Sequence, residues 1–151
     1  PFGDMNVTPY QLDHPDPCWG FRFDHGDRSL AYCVDSECTR TTESELGRDI
    51  ALYQDANLMI FDAQYTLAEV VEKINWGHSV AGIGLEMAHR MNIEKVLFVH
   101  HDPYASSEKI LAAQKQTQDY MHILQKEAQA SGAAAPNVQW EFAQEGMVVT
   151  I

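Results

Sequence analysis

The stretch Lys95-Val96-Leu97-Phe98-Val99-His100-His101-Asp102-Pro103 joins a short apolar run to a cluster of polar residues. A run of this length, bounded by polar and turn-forming residues, is typical of a strand buried inside a sheet. Residues Asn57–Phe61 form a second run of the same kind, and Asp62 follows it at once. The sequence therefore predicts two buried strands, each ending at an ionisable side chain.

The segments around these two strands have the spacing of helices. Ser79–Met91 carries apolar residues at positions that suit a helix packed on a sheet. The longest predicted helix is Ser106–Ala130, which Ser106 or Ser107 would cap and Gly132 would end. Further helices are predicted over Ser44–Gln54 and Leu67–Ile74, and two terminal strands over Val138–Phe142 and Met147–Ile151.

The first third of the chain is rich in short alternating or β-branched runs. Strands are predicted over Val7–Asp13, Cys18–Asp24 and Ser29–Asp35, with a hairpin turn at His25–Arg28 between the last two. Strands therefore come first and alternate with helices afterwards, which indicates a layered α/β (α+β) fold with one helical face. Neither an internal repeat nor a long linker interrupts residues 1–151, so we expect a single unit.

Composition limits the possible partners. The 151 residues include 10 Lys and Arg against 22 Asp and Glu, so the formal charge is 10 − 22 = −12. Phosphate backbones are bound mainly by Lys and Arg, so a nucleic-acid partner is disfavoured and a small ligand is favoured. No apolar stretch reaches the roughly 20 residues of a membrane helix. Three cysteines without a C-x-x-C pair predict a reduced, cytoplasmic setting.

Three ionisable residues stand where predicted strands end: His14, Asp35 and His100. Strand ends of a layered fold meet at one rim, so residues far apart in sequence can surround a ligand there. Imidazole and carboxylate groups are ligands for Zn, Mn or Fe, and a carboxylate can bridge two ions. Each residue alone is more often a turn former or a hydrogen-bonded strand end than a metal ligand, so the prediction rests on the three together.

The tripeptide Gly77-His78-Ser79 precedes the predicted helix Ser79–Met91, and Ser79 is suited to cap it. An imidazole at this position could act as a general acid or contact a phosphate beside a metal centre. Asp62, at the end of its strand, could orient that imidazole. An exposed histidine at a helix entry and an ordinary strand-end turn are the alternatives.

Five motifs follow one another along the chain: His14-Pro15, Tyr32–Glu37 around Asp35, Leu58–Tyr65 around Asp62, Trp76–Ser79 and Val96–Pro103. In this order they resemble the C-terminal half of a metallo-β-lactamase-fold metallohydrolase. The branch they most resemble is the phosphodiesterases, which include tRNA 3′-processing ribonuclease and phosphoribosyl cyclic phosphodiesterase. The resemblance implies an αββα sandwich, of which this chain would form the second half.

The resemblance also implies roles for individual residues. His14 would ligate the first of two divalent metal ions, Asp35 would bridge both, and His100 would ligate the second. The ions would be zinc, or manganese or iron. His78 would assist phosphodiester cleavage, and the substrate would be a small or cyclic nucleotide-like phosphodiester.

One motif of that family is absent from the sequence. The His-x-His-x-Asp-His motif supplies the remaining ligands, and none of the seven histidines forms a His-x-His pair. We therefore expect either a preceding half of the domain or a homo-oligomer that covers one sheet face. The alternatives are a non-catalytic regulatory or assembly domain of the same fold, and redox chemistry at a di-iron centre.

Overall fold

The computed structural model describes residues 3–151 and contains one six-stranded sheet. The strands are β1 (Asn6–Gln11), β2 (Trp19–His25), β3 (Arg28–Cys33), β4 (Leu58–Asp62), β5 (Lys95–Val99) and β6 (Gln139–Phe142). The helices are α1 (Glu43–Leu46), α2 (Ile50–Tyr53), α3 (Leu67–Glu72), α4 (Ala81–Arg90) and α5 (Ser107–Ser131), with a 3-10 turn at Gly47–Asp49.

The strands lie side by side in chain order. The meander β1–β2–β3 is antiparallel, whereas β3, β4, β5 and β6 are mutually parallel. Cys33 is paired with Phe61, and Phe61 with Phe98, so three strands end almost level with one another. Because parallel strands present their carboxyl ends at one edge, the loops that follow β3, β4 and β5 meet there.

Helix α4 packs directly on one face of the sheet. A Cβ atom on Gly84 would lie 2.7 Å from both the Phe61 and the Phe98 ring. Only a glycine permits this approach of helix to sheet. Arg22 extends from the same face and donates to the carbonyl oxygens of Ala51 (3.2 Å) and Gln54 (2.9 Å), which holds α2 there. The predicted helical face is confirmed.

The opposite face of the sheet is also apolar. Phe21, Tyr32, Ile60 and Leu97 form one row across four strands, and Tyr32 is 38% exposed. An apolar row on both sides of a sheet is typical of a layer that lies inside a sandwich. A second layer from a preceding half or from another copy of the chain remains a prediction.

Two element predictions are confirmed closely. Helix α5 begins after Ser106, whose Oγ accepts the N–H of Lys109 at 3.3 Å, and ends at Gly132 with φ +72°. The hairpin between β2 and β3 turns at Gly26, where φ is +59°. Both features depend on local chemistry, a side-chain cap in one case and a left-handed glycine in the other.

Three other predictions are wrong or incomplete. Residues 147–151 form no strand, because after the turn at Gly146 they find no partner strand among residues 3–151. The helix predicted over Ser44–Gln54 is broken by Gly47, whose backbone (φ +53°, ψ −122°) leaves the helical region. Ser79 does not cap α4, which begins after Val80, because Ser79 is buried and its N–H donates to Asp62.

Within residues 3–151, we find no helix with both the length and the apolar character needed to cross a membrane.

Candidate metal centre

Asp62 is the centre of the site at the carboxyl edge of the sheet. It ends β4, and its side chain is fully buried. One carboxylate oxygen, Oδ1, accepts the N–H groups of Gln64 (3.1 Å) and Ser79 (3.2 Å). The other, Oδ2, accepts the N–H of Asp35 at 3.1 Å. A buried carboxylate needs such donors, and those of Asp35 and Ser79 come from two other chain segments, so Asp62 fixes both segments to the end of β4.

Two imidazoles are bound to the same carboxylate oxygen. Nδ1 of His100 lies 2.8 Å and Nδ1 of His78 lies 3.1 Å from Asp62 Oδ2. A carboxylate only accepts hydrogen bonds, so each imidazole donates its Nδ1–H and keeps Nε2 for another partner. The hydrogen bond to Asp62 raises the pKa of His100, and this effect exceeds the opposite effect of partial burial.

Asp35 and His14 complete the cluster. Asp35 Oδ1 lies 3.4 Å from His78 Nδ1 and 3.5 Å from His14 Nε2, and its side chain is 44% exposed. The other nitrogen of His14, Nδ1, lies 3.0 Å from the backbone oxygen of Asp16. The structure therefore brings together all five residues that the sequence singled out, and it places Asp35 where a ligand can reach it.

Asp35 and His100 share an uncommon backbone geometry. Their φ angles are +67° and +62°, in the left-handed region that side chains larger than glycine seldom occupy. Each lies just after a strand, Asp35 after β3 and His100 after β5. Conformations of this kind persist where the surrounding structure enforces them, which is common at functional sites.

Glu37 is a structural member of the site to which the sequence pattern assigned no role. Its Oε1 accepts the N–H groups of Trp76 (2.8 Å) and Gly77 (3.3 Å), and its own N–H donates to the Asp13 carbonyl (2.8 Å). Glu37 thus ties the loop after β3 to the loops that carry His14 and His78. In the sequence, only its position two residues after Asp35 indicates that Glu37 lies near the site.

His101 lies apart from the cluster. Its ring stacks on Phe142 with centroids 5.3 Å apart and an angle of 7°, and its Nε2 is buried without a hydrogen-bond partner. Burial lowers the pKa of this imidazole. Alternation along the strand predicts that His100 and His101 point to opposite sides, and their separate partners, Asp62 and Phe142, agree with this.

The donor groups fit divalent metal ions. Among residues 3–151, ligand atoms of Asp35, Asp62, His78 and His100 lie within 4.8 Å of one another, and His14 adjoins Asp35. Nitrogen and carboxylate donors suit zinc, manganese and iron. Asp62 already accepts five hydrogen bonds, so it is better suited to orient imidazoles than to ligate, a common arrangement around metal-binding histidines.

Comparisons with known proteins identify the fold. No family model matches the chain, and no curated protein matches its sequence. Among solved structures, the metallo-β-lactamase-fold protein YhfI from Bacillus subtilis has a TM-score of 0.69 at 15% identity, over 97% of this chain and 50% of YhfI. The short form of human tRNase Z has a TM-score of 0.63 at 16% identity, over 98% of this chain and 44% of that enzyme.

A third similar structure is CmlA, a diiron β-hydroxylase from Streptomyces venezuelae, with a TM-score of 0.50 at 9% identity. It matches 93% of this chain and 31% of CmlA. The chain has the metallo-β-lactamase fold, as the motif resemblance implied. It spans about half the length of YhfI and of human tRNase Z.

Proposed function

We propose that the protein containing this chain is a metal-dependent hydrolase that cleaves a small or cyclic phosphodiester. The observation that carries the proposal is the convergence of His14, Asp35, His78 and His100 around the buried Asp62. The likeness to tRNase Z supports phosphodiester chemistry. The charge of −12 favours a small substrate over an RNA, because the acidic chain repels a polyanion.

In this proposal His14 would hold a first divalent ion, His100 would hold a second, and the Asp35 carboxylate would be shared between them. Ions of this class, when bound, supply Lewis-acid activation of the phosphoryl group and of water. Zinc is the ion that we propose first, with manganese and iron as the alternatives. The remaining ligands would come from residues outside this set.

His78 supplies the proton for the leaving oxygen. Its Nδ1–H is held by Asp62 Oδ2, so the proton that is transferred resides on Nε2. The phosphorus–oxygen bond to the leaving alcohol breaks, the oxygen of water forms the new bond, and the alcohol takes the proton from Nε2. The proton that water releases restores the imidazolium, so the reaction consumes one water and leaves His78 unchanged.

Two other functions have specific support. The likeness to a diiron β-hydroxylase favours redox chemistry at a di-iron centre, but a proton donor such as the His78–Asp62 pair is better explained by hydrolysis. The absence of a His-x-His pair favours a non-catalytic domain. Metal analysis of the full-length protein separates the non-catalytic domain, for which no bound ion is expected, from the two metal-dependent functions. Hydrolysis of bis(4-nitrophenyl) phosphate then separates the hydrolase from a di-iron redox centre.

Asp35→Ala is expected to remove bound metal and turnover together, since it deletes the proposed bridging carboxylate. We expect metal content to fall to background and hydrolysis of bis(4-nitrophenyl) phosphate to fall at least about 100-fold. Elemental analysis and a colorimetric assay measure the two effects. The matched control is Asp27→Ala, an aspartate 93% exposed in the β2–β3 turn. An Asp35→Ala variant that keeps its metal and its turnover would contradict the assignment.

His78→Ala is expected to affect substrates according to their leaving group. A nitrophenolate leaves without a proton, whereas the ribose oxygen of a nucleoside 2′,3′-cyclic phosphate needs one. The variant should therefore lose about 100-fold or more in kcat on the cyclic phosphate and less than about tenfold on bis(4-nitrophenyl) phosphate. Equal losses on both substrates would show that His78 does not act as the acid.

A further inference from the structure

A cleft of about 240 Å³ opens beside His78. One wall of the cleft is formed by α3 and the residues that follow it. The other wall includes the segment 37–41 after β3. Its apolar lining comes from Cys38, Val70, Ile74 and Ile83. Sites for complete drug-sized ligands occupy roughly 300–1,000 Å³, so this cleft has room for one substituent of a substrate rather than for the whole molecule.

The charged groups of the cleft already have partners within the protein. Lys73 lies 3.7 Å from Glu69, and its Nζ sits 4.5 Å above the Tyr65 ring. The Glu37 carboxylate accepts two backbone N–H groups through Oε1. With both charges compensated, the cleft offers no unpaired cation to an anionic group, and its apolar walls favour an uncharged one.

The position of the cleft relative to His78 determines which part of a substrate it would receive. A general acid must lie within hydrogen-bond reach of the leaving oxygen. The group attached to that oxygen is therefore on the His78 side of the phosphorus. His78 itself lines the cleft, so a group attached to that oxygen can enter it.

We propose that this cleft binds the leaving alcohol of the substrate, and that the substrate is a phosphodiester whose leaving group is uncharged and largely apolar. This inference rests on the proposed function of the site. It narrows the substrate class, because an oligonucleotide would place a further phosphate in the cleft, whereas an aryl, alkyl or single uncharged nucleoside group would not.

The test uses the full-length metal-loaded protein and two substrates that differ only in the leaving group. These are methyl phenyl phosphate and its analogue with a carboxylate at the 3-position of the phenyl ring, and both leaving oxygens need a proton. The unmodified protein is expected to prefer the neutral ester about tenfold or more in kcat/KM. Ile74→Lys adds a cation to the cleft wall and should reduce this preference below about threefold.

Val71→Lys is the matched control. Val71 and Ile74 are similarly exposed, at 71% and 67%, but only Ile74 lines the cleft. The control should therefore keep the preference of the unmodified protein. Unchanged preference in Ile74→Lys, or equal use of both esters by the unmodified protein, would overturn the inference while the proposed function stands. Hydrolysis of neither ester would overturn both.

A binding measurement tests the cleft without turnover. Titration with phenol, which is uncharged at neutral pH, should shift the methyl resonances of Val70, Ile74 and Ile83, which line the cleft, and leave those of the exposed Val148 in place. Shifts that are confined to methyl groups elsewhere would overturn the inference, whether or not the protein is a hydrolase.

Discussion

Gly77→Ala is expected to displace His14 and to weaken metal binding about 10- to 100-fold or more, because the new methyl group would occupy the space of the imidazole. A Cβ atom at this position would lie 2.1 Å from His14 Cδ2 and 2.2 Å from Nε2. The φ angle of Gly77, +88°, adds backbone strain of about 1–2 kcal/mol for an L-residue. Calorimetric titration with zinc and urea unfolding measure the two effects separately.

Gly146→Ala is the control that separates the effect of backbone strain from the effect of a steric clash with His14. Gly146 has a φ of +84°, and a Cβ atom there would meet nothing within 4 Å. The Gly146→Ala variant should lose stability only by the free energy of backbone strain, and its metal affinity should not change. If Gly77→Ala bound zinc as tightly as Gly146→Ala, then His14 would not depend on the glycine and its place among the ligands would be refuted.

Asp62→Ala should lower the free energy of unfolding by about 3–5 kcal/mol, since the substitution leaves buried donors without an acceptor. The carboxylate accepts three backbone N–H groups and the Nδ1–H groups of His78 and His100. Loss of all five hydrogen bonds also frees both imidazoles to rotate. Turnover should therefore fall with stability, and urea denaturation followed by fluorescence measures the stability change.

Asp62→Asn keeps the predictions testable if the alanine variant does not fold. The amide preserves volume and one acceptor oxygen but presents an NH₂ group to one set of donors, so we expect a smaller loss of about 1–3 kcal/mol. Asp27→Asn, on the exposed hairpin turn, should change stability by less than about 0.5 kcal/mol. If Asp62→Asn changed the free energy of unfolding no more than Asp27→Asn does, Asp62 would not organise the site.

The strands and the long helix were predictable because their signals are local. Lys95–Val99 and the run ending at Asp62 are short apolar segments, and Ser106 and Gly132 mark the ends of α5 through their own hydrogen-bonding and backbone preferences. Met147–Ile151 has the same apolar character but forms no strand. An apolar run becomes a strand only when another strand offers its backbone groups, and β-propensity does not report that.

Local patterns also predict part of the candidate site. His14, Asp35 and His100 could be found because each follows an apolar strand, and His78 because glycine precedes it. The pattern at Ser79 predicts a helix cap, since a serine before an apolar helix has that role more often than it serves a buried carboxylate. No local pattern predicts the role of Glu37, because its partners, Trp76 and Gly77, lie 39 and 40 positions away.

Local patterns in the sequence predict the buried strands, the turns and the ionisable groups at strand ends, because these features depend on each residue and its near neighbours. The adjacency and parallel order of β3, β4 and β5, which bring their terminal residues to one edge, are visible only in the folded chain. The folded chain also shows that Asp62 binds both His78 and His100, and that a neutral cleft opens beside His78. These contacts join segments far apart in the chain, so they depend on sheet order and packing rather than on any local pattern.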